Sequence, residues 1–185
     1  IPVDEDEYCI DDAIVAINLA GSPTGGVYSG PGVNALGNGI SFSFNPATAG
    51  AGIATVTYTL TTTDGCTASA TDDILVNDLP VVSMTVAGTG TCITAGVQTG
   101  RGGGTPTGGT YSGTGVTNDG NGMTYTFNPV VAGLGNTTVT YTFTDGNGCT
   151  NTATDDEVVV NGTATFTALA DLCENAGVQM GLGGG

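Results

Sequence analysis

The chain has 185 residues with 17 acidic side chains, one Arg, no Lys and no His, which gives a net charge of −16. Such a chain is unsuited to nucleic acid or to anionic membrane surfaces, because both require cations at the contact. Without His and Lys it has no imidazole base and no Schiff-base amine, so we expect a protein that is not an enzyme. No apolar run approaches the roughly 20 residues of a membrane-spanning helix, so we expect no membrane insertion.

Alternating or apolar segments predict strands along the whole chain. In chain order they are 27–29, 40–44, 54–60, 74–76, 82–86, 123–127, 137–143 and 158–160. Turn-forming Gly, Pro, Asn and Asp separate these segments, and no segment sustains a 3.6-residue period. The pattern predicts an all-β fold, and short strands in units of about 80 residues indicate an immunoglobulin-like sandwich.

The sequence also repeats itself. Residues 25–33 return at 108–116, 44–46 at 127–129 and 57–59 at 140–142, each at an offset of 83 residues, and 95–98 return at 176–179. We therefore predict tandem immunoglobulin-like β-sandwich repeats at 1–78 and 79–162, and a partial third repeat at 163–185. The first repeat lacks a counterpart of the leading segment 82–86. Repeat arrays usually serve as stalks, spacers, adhesive surfaces or fibres.

The cysteines follow the repeat. Cys9 and Cys66 are 57 residues apart (66 − 9), and so are Cys92 and Cys149 (149 − 92). Equal spacing in equivalent repeats predicts one disulfide within each repeat, Cys9–Cys66 and Cys92–Cys149, and with it an oxidising, extracellular environment. Reduced, buried thiols are the alternative. Cys173 has no partner of this kind.

The second repeat contains the run Gly-Gly-Thr-Tyr-Ser-Gly-Thr-Gly-Val at 108–116, followed by Phe127-Asn128-Pro129, Ala132-Gly133, Thr140-Tyr141-Thr142 and Asn147-Gly148-Cys149-Thr150. These motifs resemble the Ig-like or PKD-like tandem repeats of secreted Bacteroidota surface proteins. The resemblance implies a location on the outer bacterial surface and a role in an adhesin or gliding-associated protein.

Two acid pairs recur at the offset of 83, Asp72-Asp73 and Asp155-Asp156. Calcium takes six to eight oxygen ligands, so paired carboxylates near the repeat ends predict a calcium site at these four residues. The alternative is a solvated acidic edge that keeps the protein soluble and prevents edge-to-edge strand pairing. A glycosidase acid and base is a weaker alternative, because small repeated sandwiches rarely provide the cleft which that chemistry needs.

Other motifs offer surface sites. Tyr28 and Tyr111 each begin a Tyr-Ser-Gly motif that suits either a sugar-stacking surface or a buried tyrosine whose hydroxyl caps a loop, and we favour the second. Asn136 and Asn161 fit the Asn-x-Ser/Thr acceptor pattern and are candidate sites of attached glycans.

The segment 163–185 carries the leading strands of a repeat without the rest of it. Its predicted assembly residues are Ala164, Phe166, Ala168, Leu169, Val178 and Met180. A large apolar side chain gains roughly 1.5–3 kcal/mol when fully buried, so we expect this face to pack on a sheet outside its own segment. That sheet belongs either to the next repeat of a longer array or to the first repeat of another copy, and the second case gives a head-to-tail filament.

The sequence therefore predicts a non-catalytic structural repeat of an extracellular bacterial surface fibre or adhesin stalk, assembled head-to-tail through its terminal strands. Its expected partners are copies of itself, or further repeats of the same chain, and attached glycans. The alternative function is a calcium-dependent carbohydrate-binding adhesin module.

Overall fold

The computed structural model describes residues 7–18, 21–88 and 90–162, which cover most of the two predicted repeats. This part is all-β apart from two one-turn helices, as the sequence predicts. Among the described residues, no helix has the length and apolar character needed to cross a membrane. The predicted partial repeat at 163–185, with its assembly residues, lies outside the described residues.

The elements occur in the same order in both repeats. The first repeat contains β1 (Glu7–Cys9), β2 (Val15–Asn18), β3 (Val27–Ser29), β4 (Val33–Ala35), β5 (Ser41–Phe44), α1 (Pro46–Ala49), β6 (Gly52–Thr61) and β7 (Thr67–Asn77). The second contains β8 (Thr91–Cys92), β9 (Gln98–Gly102), β10 (Thr110–Ser112), β11 (Val116–Asn118), β12 (Thr124–Phe127), α2 (Pro129–Ala132), β13 (Gly135–Thr144) and β14 (Thr150–Val160).

Each repeat has a four-stranded and a three-stranded sheet. The first repeat has the orders β1-β7-β6-β3 and β2-β5-β4, and the second has the equivalent orders β8-β14-β13-β10 and β9-β12-β11. β1 runs parallel to β7, and β8 runs parallel to β14, at one edge of the larger sheet. The other strand pairs are antiparallel. The sequence repeat is thus a repeat of topology, while the immunoglobulin-like assignment and the repeat boundaries stay predictions.

The long strands β6 and β13 form because small polar and apolar side chains alternate along them. Val56 and Tyr58 of β6 are buried, and so are Val139 and Tyr141 of β13, while most of the threonines between them are exposed or half-buried. Successive side chains of a strand point to opposite faces, so this alternation gives each strand one buried face. The predicted strands at these positions are confirmed and are longer than the sequence indicated.

Each repeat has its own core between its two sheets. In the first, Phe42 and Phe44 of the small sheet pack with Val56, Ile74 and Val76 of the large sheet, and all five are almost completely buried. The buried core of the second repeat consists of Met84, Tyr111, Tyr125, Phe127, Val139, Tyr141 and Val159. Removal of these apolar surfaces from water is the main stabilising term of such a fold.

The two Asn-Pro motifs begin helices, although the sequence indicated simple turns. Asn128 is the N-cap of α2, and its side-chain oxygen accepts the backbone N–H of Val130 at 3.1 Å. Pro129 follows at the first helical position, where its missing N–H costs no hydrogen bond. Asn45 and Pro46 begin α1 in the same way.

The predicted strand at 82–86 is wrong as a regular strand. Ser83 forms an isolated bridge with Thr105, and the backbone N–H of Thr85 donates to the carbonyl of Gly103 at 3.1 Å. Gly103 has φ of +123°, and a Cβ there would lie 1.8 Å from the Thr85 carbonyl oxygen. The segment is therefore held against a glycine whose backbone conformation interrupts a regular ladder.

Candidate functional site: the junction between repeats

Four cysteines occupy two structural positions, each present once in each repeat. Cys9 and Cys92 are the last residues of β1 and β8, where parallel pairing places them beside the final residues of β7 and β14. Cys66 and Cys149 immediately precede β7 and β14, in the turns of the β6–β7 and β13–β14 hairpins. Each repeat thus carries a strand-end cysteine at one end of its large sheet and a hairpin cysteine at the other.

The hairpin turn of the second repeat is specified by its own sequence at 145–149. The backbone N–H of Asp145 donates to the carbonyl of Cys149 at 2.9 Å, and that of Gly148 donates to the carbonyl of Asp145 at 3.2 Å. Oδ1 of Asp145 accepts the backbone N–H groups of Asn147 at 2.9 Å and of Cys149 at 3.0 Å. Gly148 has φ of +86°, which glycine adopts without strain. These contacts fix the backbone that presents the hairpin cysteine.

The structure joins Cys9 to Cys149, with their Cα atoms 5.5 Å apart and a sequence separation of 140 residues. The predicted pairings Cys9–Cys66 and Cys92–Cys149 are therefore wrong. The bond connects the strand-end cysteine of the first repeat to the hairpin cysteine of the second. It closes the junction between repeats instead of closing either repeat.

The physical reason for this correction is strand length. Cys9 lies beside Asn77 at the end of β7, whereas Cys66 precedes Thr67 at its beginning. Cys66 and Asn77 are 11 residues apart along the strand (77 − 66), which at about 3.3 Å per residue is about 36 Å. A disulfide requires Cα atoms roughly 4.4–6.8 Å apart. The same separation applies in the second repeat, so neither repeat can close its own pair.

The sequence pattern does not reveal this separation, because it predicts only the apolar end of each strand, at 74–76 and 158–160. The preceding residues of both strands are small or polar, and alanine is the one apolar type among them. Extending both hairpins from their turns, residue by residue, would have placed the two cysteines of each repeat at opposite ends of the sheet. Hairpin register is the signal that could have found the junction.

Among the described residues, two side-chain hydrogen bonds lie beside the disulfide at the junction. Nδ2 of Asn151 donates to the carbonyl of Pro80 at 2.9 Å, and Nδ2 of Asn147 donates to Oδ1 of Asn77 at 3.4 Å. Cys149 is 1% exposed, although it lies in a hairpin turn. The hairpin of the second repeat is therefore packed against the end of the first repeat.

The other two cysteines are exposed. Within the described residues, Cys66 and Cys92 have no disulfide partner. They occupy the hairpin position of the first repeat and the strand-end position of the second, which are the positions that the Cys9–Cys149 bond does not use.

A buried polar network lies in the second repeat, and no motif in the sequence predicts it. Nη1 of Arg101 contacts Oε2 of Glu157 at 3.1 Å, and Nη2 donates to Oγ1 of Thr91 at 2.6 Å. The hydroxyl of Tyr125 donates to Oε1 of Glu157 at 2.8 Å. Burial, and then this bond to Glu157, raise the pKa of Tyr125 well above its ordinary value. The single cation of the chain thus neutralises a carboxylate that is 2% exposed.

The predicted calcium residues are arranged along two strands. Asp72 and Asp73 are neighbours on β7, and Asp155 and Asp156 are neighbours on β14, so the members of each pair point to opposite faces of their sheet. Oδ1 of Asp73 accepts the hydroxyl of Thr55 at 2.7 Å. Neither pair can therefore offer both carboxylates to one ion on one face.

Asp155 and Asp156 also have partners on their own faces. Oδ2 of Asp155 accepts the backbone N–H of Val86 at 2.8 Å, and Oδ1 of Asp156 accepts the hydroxyl of Thr138 at 2.9 Å. The bonds from the backbone N–H groups of Val86 and Asp156 hold the pKa of Asp155 below its ordinary value. Asp155 thus fastens the leading segment of the second repeat to its large sheet.

Among the described residues, the one group of three potential metal ligands close together is Cys9, Asp11 and Asp12. The sulfur of Cys9 is already in the disulfide, and Oδ2 of Asp12 accepts the backbone N–H of Cys9 at 2.7 Å. The structure does not gather the four predicted acids, and calcium binding stays a prediction.

The two tyrosines of the Tyr-Ser-Gly motifs are buried, whereas both candidate glycan sites are exposed. Tyr28 and Tyr111 are buried, and their hydroxyls accept backbone N–H groups at 2.7 and 3.0 Å, so these rings hold loops in place and cannot stack on a sugar. Asn136 is exposed on β13, with its Nδ2 donating to Oδ2 of Asp156 at 3.2 Å. Asn161 is exposed after β14. Glycan attachment at both sites stays a prediction.

No protein-family model and no curated protein matches the sequence. A solved structure described as a Ca2+-stabilized adhesin that helps an Antarctic bacterium reach out and bind ice aligns with a TM-score of 0.46 and 17% identity. The alignment covers 89% of this chain and 49% of that one, so this chain spans about half the length of that protein. A likeness at this level carries no argument about what this chain binds.

Proposed function

We propose that this chain is a non-catalytic structural segment of an extracellular bacterial surface fibre or adhesin stalk, with its repeats joined head-to-tail. The observation that carries the proposal is the Cys9–Cys149 disulfide, which links one repeat to the next. A disulfide within a repeat would stabilise that repeat alone. A disulfide across the junction adds a second covalent link between one repeat and the next, beside the backbone itself.

The extracellular location is supported by the same bond, because disulfides persist in oxidising compartments and are rare in the cytosol. The motif run at 108–116 and its resemblance to repeats of secreted Bacteroidota surface proteins point to the same location. A net charge of −16 suits a protein that stays soluble outside the cell and does not adhere to anionic surfaces.

Assembly through the terminal segment 163–185 is part of the proposal. Its apolar residues have the alternation of the leading segment 82–86, which in the second repeat is fastened to the sheet by Asp155. A copy that donates its terminal segment to the large sheet of another copy would extend the series of repeats.

The junction disulfide has a direct mechanical consequence. Tension applied between the two ends of the chain passes from Cys9 across the sulfur–sulfur bond to Cys149 and bypasses residues 10–148. A stretch with a separation of 140 residues would extend by roughly 460–500 Å if it unfolded freely, at 3.3–3.6 Å per residue. The bond withholds that length, so it keeps the reach of the stalk constant under load.

Single-molecule force measurements on the whole chain, held at its two ends, test this function. The oxidised chain is expected to show no large unfolding extension between Cys9 and Cys149, and the reduced chain is expected to release several hundred ångströms. A Cys66→Ser variant is the matched control and should behave as the unmodified oxidised chain. Equal extension of the oxidised and reduced chains would overturn the load-bearing role.

The location is tested separately with antibodies against the described repeats. We expect labelling of filaments outside unpermeabilised cells. Labelling confined to the cytosol, with reduced thiols at Cys9 and Cys149, would contradict an extracellular fibre.

A further inference from the structure

The observed disulfide and the two exposed thiols follow one rule. The bond joins the strand-end cysteine of one repeat, Cys9, to the hairpin cysteine of the next repeat, Cys149. Advanced by one repeat, the rule makes Cys92 the strand-end cysteine of the next junction, and no described residue is its hairpin partner. Moved back by one repeat, the rule makes Cys66 the hairpin cysteine of the preceding junction, and no described residue is its strand-end partner.

The backbone at the open strand end matches the backbone at the bonded one. Next to Cys92, the N–H of Ile93 donates to the carbonyl of Val160 at 2.9 Å, and the N–H of Ala95 donates to the carbonyl of Cys92 at 2.9 Å. The equivalent bonds next to Cys9 run from Ile10 to Asn77 at 2.9 Å and from Asp12 to Cys9 at 3.0 Å. Cys92 is therefore held in the conformation that the paired strand-end cysteine adopts.

The open hairpin also matches the bonded one. The N–H of Thr62 donates to the carbonyl of Cys66 at 2.8 Å, and the N–H of Gly65 donates to the carbonyl of Thr62 at 2.9 Å. The hairpin of Cys149 has the same two bonds at 2.9 and 3.2 Å, made by Asp145 and Gly148. The two free thiols thus occupy the two halves of a joint that the structure shows once in closed form.

We propose that Cys92 of one copy forms a disulfide with Cys66 of a second copy, so that the junction within the chain is repeated between chains. The proposal rests on the proposed function, because it concerns how the repeats of such a fibre continue from one chain to the next. The contact is heterologous, since it uses different surfaces of the two copies, and it produces a linear polymer.

The charges at the two open positions are compatible with this contact. At the bonded strand end, Asp11 and Asp12 lie beside the junction. At the open one, Thr94 and Ala95 take their places, so this end of a strongly acidic chain carries no carboxylate there. The incoming hairpin carries Asp64 two residues before its cysteine, and it meets fewer like charges than it would at the first strand end.

Formation of the Cys92–Cys66 bond requires an external disulfide as oxidant. The two thiols lose two protons and two electrons as the Cys92–Cys66 bond forms. A small-molecule disulfide, such as oxidised glutathione, or a disulfide-exchange enzyme accepts them, and its own sulfur–sulfur bond is cleaved to two thiols.

The test uses the purified full chain with Cys173→Ser, which removes the fifth cysteine, incubated with oxidised glutathione at increasing protein concentration. Non-reducing electrophoresis should show a ladder of multimers that collapses to monomer with reductant. Peptide mapping should find Cys66 joined to Cys92, with Cys9 still joined to Cys149. Added salt should increase the yield of multimers, because it screens the repulsion between acidic copies.

Matched variants test whether the pairing of Cys66 with Cys92 is specific. Cys66→Ser and Cys92→Ser should each lose every species above the monomer, and an equal mixture of the two variants should give a dimer and nothing larger. Both residues are exposed, so neither substitution is expected to disturb the fold. A ladder that survives in either variant, or bonds joining Cys66 to Cys66 or Cys92 to Cys92, would overturn the proposal.

A chain that stays monomeric under oxidation would overturn it as well. Failure of this joint is distinguishable from failure of the fibre. Extracellular filaments of the unmodified protein in which Cys66 and Cys92 stay reduced would retain the fibre and reject the covalent joint. Absence of filaments on cells with the unmodified protein would reject the proposed function itself.

Discussion

The two repeats share one topology but fill the same region of the core with opposite chemistry. The corresponding positions are Ile17, Phe42 and Ile74 in the first repeat and Arg101, Tyr125 and Glu157 in the second. The first set is part of an apolar core, and the second set is an ion pair with a tyrosine hydroxyl bonded to it. The strand order is unchanged, so this topology does not depend on whether the region is apolar or ionic.

Strand register shows why Arg101 corresponds to Ile17. Ile17 is opposite Phe42 on β2, and Arg101 is opposite Tyr125 on β9. The register between β9 and β12 shifts by one residue, which is a bulge, so the sequence offset is 84 here instead of 83. At the constant offset Arg101 would align with Asn18, and the exchange of an apolar side chain for a cation would be hidden.

Opening the junction disulfide has the largest expected effect on the unfolding free energy. It also allows the unfolding of each repeat to be measured alone, which a comparison of the two cores requires. We expect Cys9→Ser/Cys149→Ser to lose up to about 5 kcal/mol of unfolding free energy, because the bond closes a loop with a separation of 140 residues. Urea unfolding should then split into two transitions, one for each repeat. Cys66→Ser is the control and should leave the curve of the oxidised monomer unchanged. One transition at the original midpoint in the double variant would show that the bond does not couple the repeats.

The next effect concerns the ionic core itself. Glu157→Ile leaves Arg101 without its carboxylate and Tyr125 without its acceptor, and removing one member of a buried pair typically costs about 3–5 kcal/mol. We expect the lower end of that range, because the Arg101 side chain is 18% exposed and can reach water. Only the transition of the second repeat should move.

The triple variant Arg101→Ile/Tyr125→Phe/Glu157→Ile reproduces the apolar set of the first repeat and is the matched control. Replacing a buried ion pair by packed apolar groups is often neutral or stabilising. We therefore expect the triple variant to recover most of the stability that Glu157→Ile loses. A triple variant as unstable as the single one would show that the second core requires its polar network.

Local patterns predicted the parts of this fold that local forces decide. Val56 and Val139 lie on long alternating strands, and the alternation predicted both. β1 and β8 are three and two residues long and pair in parallel with distant strands, so they have no periodicity to detect. Their positions decide which cysteines meet, which is why the disulfide pairing could not be predicted from spacing alone.

The ionic core was missed for a similar reason. Arg101 and Glu157 are far apart in sequence, and Glu157 follows Asp155 and Asp156 in what reads as a single acidic run. The alternation of β14 divides that run, because Asp156 is exposed while Glu157 is buried two residues before the buried Val159. Strand alternation applied to the acids would have identified a buried carboxylate that needs a cation, and the chain has one cation to offer.

The smallest expected effect concerns Asp155, which holds the leading segment of the second repeat. Bonds from the backbone N–H groups of Val86 and Asp156 hold the pKa of Asp155 below its ordinary value of 3.8. The folded state therefore binds this proton less readily than the unfolded state. The resulting stability is fully present above about pH 4, and it is lost as the pH falls through the folded pKa.

Asp155→Asn removes this dependence, and its amide oxygen can still accept the N–H of Val86. We expect the variant to be slightly less stable than the unmodified chain at pH 7, with the difference in melting temperature narrowing below about pH 4. The effect should be small because Asp155 is only half-buried and its charge is screened by solvent. Asp72→Asn is the control, because Asp72 is the equivalent residue of the first repeat. Among the described residues, no backbone N–H of a leading segment donates to it. Thermal unfolding between pH 7 and pH 3 measures both variants, and a difference for Asp155→Asn that widens at low pH would reverse the expected sign.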